Sequence, residues 1–179
     1  MKGNGNGLGT LIEKLYFMMI PTSGGRTKYI YKNKNKFKSV GKALFYQPRS
    51  FPTDPEYISF GDNVNIASDV EFVNHDIVHK LLNDKYSTKD FRGGYGCIEI
   101  GNNVMVGTHT LILPNVRIGN NVIIGAGSVV VKDIPDNSIA AGIPCKIIGN
   151  FDKFVEKRKN MKHLYGDDLW NDFYSQRKL

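Results

Sequence analysis

Cysteine is nearly absent from this 179-residue chain: Cys97 and Cys145 stand far apart and form no C-x-x-C pair. One bridge is the most they permit, which excludes a disulfide scaffold and a cysteine-built zinc site. Long apolar runs are also missing. Glu13 and Lys14 interrupt the stretch from Leu8 to Ile20 and leave Leu15 to Ile20 as its longest piece, too short for an export-signal core and far too short for a membrane span. No membrane span is expected, and a cytoplasmic, reducing location follows as the default. The same stretch reads as an amphipathic helix with Leu8, Leu11, Ile12, Leu15 and Met19 on one stripe. The 19 glycines and 7 prolines fall well short of collagen composition, and 41% hydrophobic residues are too many for a disordered tail. One globular domain with room for an appendage remains.

Acid is scarce at one end only. Residues 1–50 hold ten Lys or Arg and the single acid Glu13, a local +9 within a chain whose total is +7. Arg26, Lys28, Lys32, Lys34, Lys36, Lys38, Lys42 and Arg49 follow one another with no acid between them, interleaved with Tyr29, Tyr31, Phe37, Phe45 and Tyr46. Such a patch suits nucleic acid, anionic glycans or a phosphorylated ligand. A solvated face of an edge element is the blander reading and the one adopted, so no nucleic-acid partner is expected.

A repeat dominates the second half. Ile100, Val106, Ile112, Ile118, Ile124 and Val130 recur at every sixth position, and glycine fills the second place of the unit at 101, 107, 119 and 125. The fourth place holds Asn63, Asp69, His75, Asn103, His109, Asn115, Asn121, Gly127 and Asp133, mostly the residue types enriched at positive φ. A period of six matches neither the 3.6 of an α-helix nor the alternation of a plain strand. It matches a short strand and a tight turn, repeated so that three units make one coil and successive coils pair strand on strand. The fold class expected is an all-β solenoid with helical segments at both ends.

The closing segment, Val129-Val-Val-Lys-Asp-Ile-Pro-Asp-Asn-Ser-Ile-Ala-Ala-Gly-Ile-Pro-Cys-Lys-Ile-Ile148, resembles the signature end of the hexapeptide-repeat acyltransferases, in particular the maltose, galactoside and polysaccharide O-acetyltransferase branch. The resemblance implies a left-handed parallel β-helix, acetyl-CoA as acyl donor, a hydroxyl-bearing sugar or glycan acceptor, and a homotrimer with sites between subunits. It also sets the expected boundaries: a helix and basic lead-in over 1–57, the β-helix over 58–149 and a helical cap over 150–179.

The hexad frame breaks once, between Phe72 and Ile100, which makes 76–97 an inserted loop. A loop of that length in a compact domain is a functional candidate. His75 stands where it departs, and transfer of an acyl group to a hydroxyl needs a base that works near neutral pH. Phe72-Val-Asn-His-Asp76 resembles the catalytic histidine segment of the polysaccharide branch, which implies His75 as general base with Asp76 beside it and Asn74 near the acceptor. His79 lies in the insert, a position that makes it a second candidate to touch the acceptor. Asp69, Glu71 and Asp76 are the nearby acids able to orient the imidazole, and spacing selects none of them. Met105-Val-Gly-Thr108 resembles a segment usually written Trp-Ile-Gly-Ser, which implies Gly107 and Thr108 against the thioester, with the Thr108 N–H as oxyanion donor. By the same resemblance Gly125 and Ala126 admit the pantetheine arm, and Lys132 and Lys146 face the phosphates of coenzyme A. The γ-class carbonic anhydrases place three histidines on zinc in a similar solenoid, but residues 100–148 contain only His109, so no metal is expected. A xenobiotic O-acetyltransferase, an amino-sugar N-acetyltransferase and a non-enzymatic scaffold stay open as alternatives. In the tail, Trp170 is expected to anchor a helix on the solenoid end.

Overall fold

Alternation within each hexad decides what lies inside. A computed structural model describes residues 7–161 and 163–177. In it Ile100, Val106, Ile112, Ile118, Ile124 and Val130 are all 1% exposed or less, and Val104, Thr110, Val116, Val122 and Ser128 point inward with them. Short strands put alternate residues on opposite faces, so the fifth and first places of the unit are internal while the sixth faces out.

Among the described residues there are thirteen strands and five α-helices. The first sheet stacks β1 (Ser39–Val40), β3 (Ile58–Phe60), β6 (Ile98–Ile100) and β9 (Val116–Ile118). A second holds β2 (Phe45–Tyr46), β4 (Val64–Ile66), β7 (Val104–Val106), β10 (Val122–Ile124), β12 (Ser138–Ala141) and β13 (Lys146–Asn150). The third holds β5 (Glu71–Phe72), β8 (Leu111–Ile112) and β11 (Val129–Val130). The chain visits the three sheets in turn, and every pairing is parallel except that of β13 with β12. One regular circuit, three hexads long, carries the chain from Ile98 on β6 to its partner Val116 on β9, and from Val104 on β7 to Val122 on β10. The preceding circuit is longer. Ile58 meets Ile98, Val64 meets Val104 and Glu71 meets Leu111, and the excess over three hexads equals the length of segment 76–97.

The corners carry the expected backbone. Asn63, Asp69, Asn103, His109, Asn115, Asn121 and Gly127 all have positive φ. His75 and Asp133 do not. The insert departs at the first, and after the second the coil shortens, so that Val122 on β10 pairs with Ser138 on β12. Glycine in the second place follows from stacking distance. A Cβ on Gly107 would lie 2.5 Å from the Ala126 backbone N, and one on Gly101 would lie 2.8 Å from the Gly119 carbonyl.

The ends depart from expectation in two ways. Helix α1 (Gly7–Met19) forms, but its stripe of Leu8, Leu11, Ile12 and Leu15 is exposed, and Phe17 is the residue it buries. Phe17 packs edge-on against Phe51, Tyr46 and Tyr29 of α2 (Ser23–Lys32), so an aromatic cluster covers the first coil. The insert, read as loop, contains α3 (Val78–Tyr86). At the other end α4 (Phe151–Lys159) packs beside β13, whereas α5 (Gly166–Ser175) leaves Trp170 57% exposed, its aromatic contacts among the described residues being Phe173, edge-on, and Tyr174, stacked, of its own helix. Among the described residues no helix is long and apolar enough to cross a membrane.

Candidate active site

The insert is pinned at its base by residues next to His75. Asn74 is buried, its Nδ2 donating to the Gly96 carbonyl at 3.2 Å while the Gly96 N–H donates to the Asn74 carbonyl at 2.7 Å. His75 and Tyr95 form an antiparallel bridge across the same neck, with their rings 5.6 Å apart. The insert therefore leaves and re-enters the coil at one corner, and His75 is held at its mouth. Its side chain is 34% exposed, open enough to meet a ligand.

The partner of His75 is Asp54. Its Oδ2 lies 2.5 Å from His75 Nδ1, and its side chain is 18% exposed. A carboxylate there keeps the proton of the neutral ring on Nδ1, so Nε2 carries the free lone pair. Asp54 comes from the segment Phe51-Pro52-Thr53-Asp54-Pro55, whose Pro55 opens a single 3-10 turn at Pro55–Tyr57. The acids nearer in sequence are engaged elsewhere. Asp76 Oδ1 accepts from the Val78 N–H at 2.9 Å and so caps the start of α3. Asp69 lies 3.9 Å from His109 on another corner, and Glu71 is exposed on β5.

Two clefts flank the Asp54 segment. One, of about 260 Å³, opens between Glu13, Lys14 and Lys36 on one side and Thr53, Pro55 and Glu56 on the other. The second, of about 250 Å³, lies between Ser50–Thr53 and the strand residues Glu71 and Phe72. The first is lined by a tight polar cluster in which Glu13 Oε1 accepts from Tyr29 Oη at 2.8 Å and Lys36 Nζ at 2.5 Å. Burial pushes Glu13 up, but those two hydrogen bonds outweigh it and hold the carboxyl below its ordinary range. Burial and the same hydrogen bond push the Tyr29 phenol up to about 12. His79, on α3, is half-buried beside Gly93, and its Nδ1 is shielded without a hydrogen-bond partner among the described residues.

Of the residues assigned to the acyl donor, Gly107, Thr108, Gly125 and Ala126 gather on a different corner from His75. Gly107 and Thr108 follow β7 in one coil, and Gly125 and Ala126 follow β10 in the next. Thr108 Oγ1 donates to the Ser68 carbonyl at 2.6 Å, which fixes the turn, while its N–H has no partner among the described residues. Met105 stands exposed on the outer face of β7. Lys132 is exposed at the corner that follows β11, two coils beyond His75 on the same edge, and Lys146 is exposed where β13 begins. Within one chain the structure thus joins His75 to Asp54, Asn74 and Tyr95, and joins Gly107 and Thr108 to Gly125 and Ala126. It does not bring the two groups together, because the third sheet separates their corners. Among the described residues no three His, Cys, Asp or Glu side chains converge as a metal site would require.

Asp54 escaped the sequence reading because no motif marks it. A count of three hexads back from His75 lands on Tyr57 and misses Asp54 by three residues, because the first circuit is 20 residues long, Ser39 pairing with Ser59 and Phe45 with Asn65.

Comparison with known proteins places these features in context. Residues 97–132 match the bacterial transferase hexapeptide (six repeats) family. Protein CapG of Staphylococcus aureus is 41% identical over 125 residues, covering 70% of this chain and 67% of that one. Galactoside O-acetyltransferase of Escherichia coli K12 is 44% identical over 133 residues, covering 72% of this chain and 59% of that one, so less than two thirds of that relative is spanned. Among solved structures, a maltose O-acetyltransferase from Clostridium difficile 630 superposes with a TM-score of 0.57 at 29% identity, covering 76% of this chain and 81% of that one.

Proposed function

The chain belongs to the bacterial hexapeptide-repeat transferases, and from that premise we propose that it moves an acetyl group from acetyl-CoA to a hydroxyl of a sugar or polysaccharide precursor. The single observation that carries the proposal is His75 held by Asp54 at 2.5 Å at the mouth of the insert. Two relatives with matching repeats are O-acetyltransferases acting on galactosides and on maltose, which supports oxygen rather than nitrogen as the nucleophile. The three-sheet coil is taken as the left-handed β-helix of that family.

The chemistry is direct transfer. His75 Nε2 accepts the acceptor's hydroxyl proton as the oxygen attacks the thioester carbonyl carbon, and Asp54 stabilises the imidazolium that forms. The developing oxyanion needs a fixed donor, and the unbonded Thr108 N–H is of the right kind. Collapse of the tetrahedral intermediate breaks the carbon–sulfur bond, and the imidazolium returns its proton to the departing thiolate. No covalent acyl-enzyme is required, and no serine or cysteine side chain hydrogen-bonds His75 among the described residues.

Because His75 and Thr108 lie on different edges of one chain, a complete site needs His75 of one copy facing Thr108 of another. That requirement supports a trimer with sites between subunits. The candidate acceptor site is the cleft bordered by the Asp54 segment, where Glu13, Lys36 and Glu56 carry groups able to hydrogen-bond a polyhydroxyl ligand. Coenzyme A release from acetyl-CoA, followed across simple sugars, nucleotide sugars and antibiotics, tests the reading. Turnover confined to sugars supports it; turnover confined to antibiotics or amines, or none with any acceptor, refutes it.

A further inference from the structure

Helix α1 is inverted for a helix that covers a core. Leu8, Leu11, Ile12, Leu15, Tyr16 and Met19 are 48–75% exposed, while Phe17 on the opposite side is buried. At about 100° per residue the six span an arc of roughly 140°. A patch this apolar on the surface calls for something that covers it.

The charge beside it indicates what. Between residues 14 and 53 there are nine Lys or Arg and no acid, and Lys28, Lys32, Lys34, Lys38, Lys42 and Arg49 are exposed. Two of them, Lys28 and Lys32, belong to α2, which borders α1: Tyr29 packs on Tyr16 and Phe17 with ring centroids 5.7 and 5.4 Å apart. Lys28 and Lys32, four residues apart, lie together on one side of Tyr29 on the helix surface. Lys36 reaches α1 directly at Glu13.

We propose that α1 docks this protein on an anionic lipid bilayer, with its apolar stripe at the acyl boundary and the neighbouring lysines against lipid phosphates. An apolar helix face flanked by basic residues is the arrangement that lies in a bilayer interface, and no described helix is able to cross one. The basic patch complements an anionic surface. Covering α1 with α1 of a second copy would press two +9 segments together, which like-charge repulsion opposes, and cover by another face of a second copy is the outcome that oligomer mass reads below. Helix α5 also exposes Leu169, Trp170 and Phe173 but carries Asp167, Asp168 and Asp172 among them, so an anionic surface repels it.

Flotation of the full-length protein with vesicles tests the proposal. Protein should float with vesicles of phosphatidylcholine containing about a quarter phosphatidylglycerol, stay behind with phosphatidylcholine alone, and be released as salt is raised. Each lysine lost from the patch should lower partitioning about fivefold, so Lys28→Ser with Lys32→Ser should weaken it roughly 25-fold. Leu11→Ser with Leu15→Ser should abolish flotation while mass by light scattering stays that of the wild type; both positions are exposed, so folding is retained. Equal binding to neutral and anionic vesicles, or flotation untouched by the leucine changes, overturns the proposal. A loss of oligomer mass in the leucine variant also overturns it, by giving the stripe to a second copy.

Discussion

Asp54→Asn isolates the contact on which the proposed mechanism turns. In the wild type the Asp54 carboxylate is 2.5 Å from His75 Nδ1, and no other side chain bonds to it among the described residues. A hydrogen bond to a charged group is worth about 1.5–3 kcal/mol, so kcat should fall about 10- to 150-fold. Loss of the base itself in His75→Ala should cost more, about 10²- to 10⁴-fold. The sharper readout is the double variant. If Asp54 acts only through His75, Asp54→Asn added to His75→Ala should leave the residual rate where His75→Ala alone put it. Initial rates of thiol release at saturating acetyl-CoA measure all four forms, and the KM for acetyl-CoA should stay constant across them. Multiplicative losses in the double variant, or full kcat in Asp54→Asn, would refute the positioning role.

Three further outcomes follow from the geometry. Subunits carrying His75→Ala mixed equally with subunits carrying Thr108→Pro should recover about a quarter of wild-type sites if each site spans two chains; mixtures as inactive as their parents would place the site within one chain. Proline is tolerable at 108 because Pro114 fills the same corner place one unit later. Gly107→Ala should cost about 1–3 kcal/mol, read as a lower urea midpoint, because the added Cβ meets the Ala126 backbone N at 2.5 Å. Hydrogen bonds from the Asn120 backbone N–H and side-chain amide hold the Asp136 carboxyl below its ordinary 3.8. A depressed folded value gives stability that is complete above the unfolded pKa and lost as pH falls through the folded one. Wild-type urea midpoints should therefore drop below pH 4, and Asp136→Asn should flatten part of that drop; an unchanged drop contradicts the assignment.

The coil was legible because a stacked fold repeats its local rules. Ile100 through Val130 fill the interior, and Asn63, Asn103 and Asn121 take the left-handed corners, each for reasons carried by its own hexad. His75 was legible because it stands where the repeat fails. Asp54 was not, since its contact to His75 joins residues 21 positions apart through the irregular Pro52–Pro55 segment, where no period operates. The stripe on α1 shows a different limit. Periodicity finds an apolar face but does not say which way it turns, and Phe17, off the stripe, won the core because the aromatic cluster of Tyr29, Tyr46 and Phe51 accepts one large ring. In the same way α5 has the pattern of a packing helix while Trp170 stays exposed.

The central claim is that His75 is the base for acetyl transfer from acetyl-CoA. Its most direct test is the acceptor-dependent rate of coenzyme A release by purified wild-type and His75→Ala protein, with coenzyme A binding measured on both by calorimetry. The account predicts unchanged binding and a loss of about 10²-fold or more in turnover; equal turnover by the two proteins would contradict it.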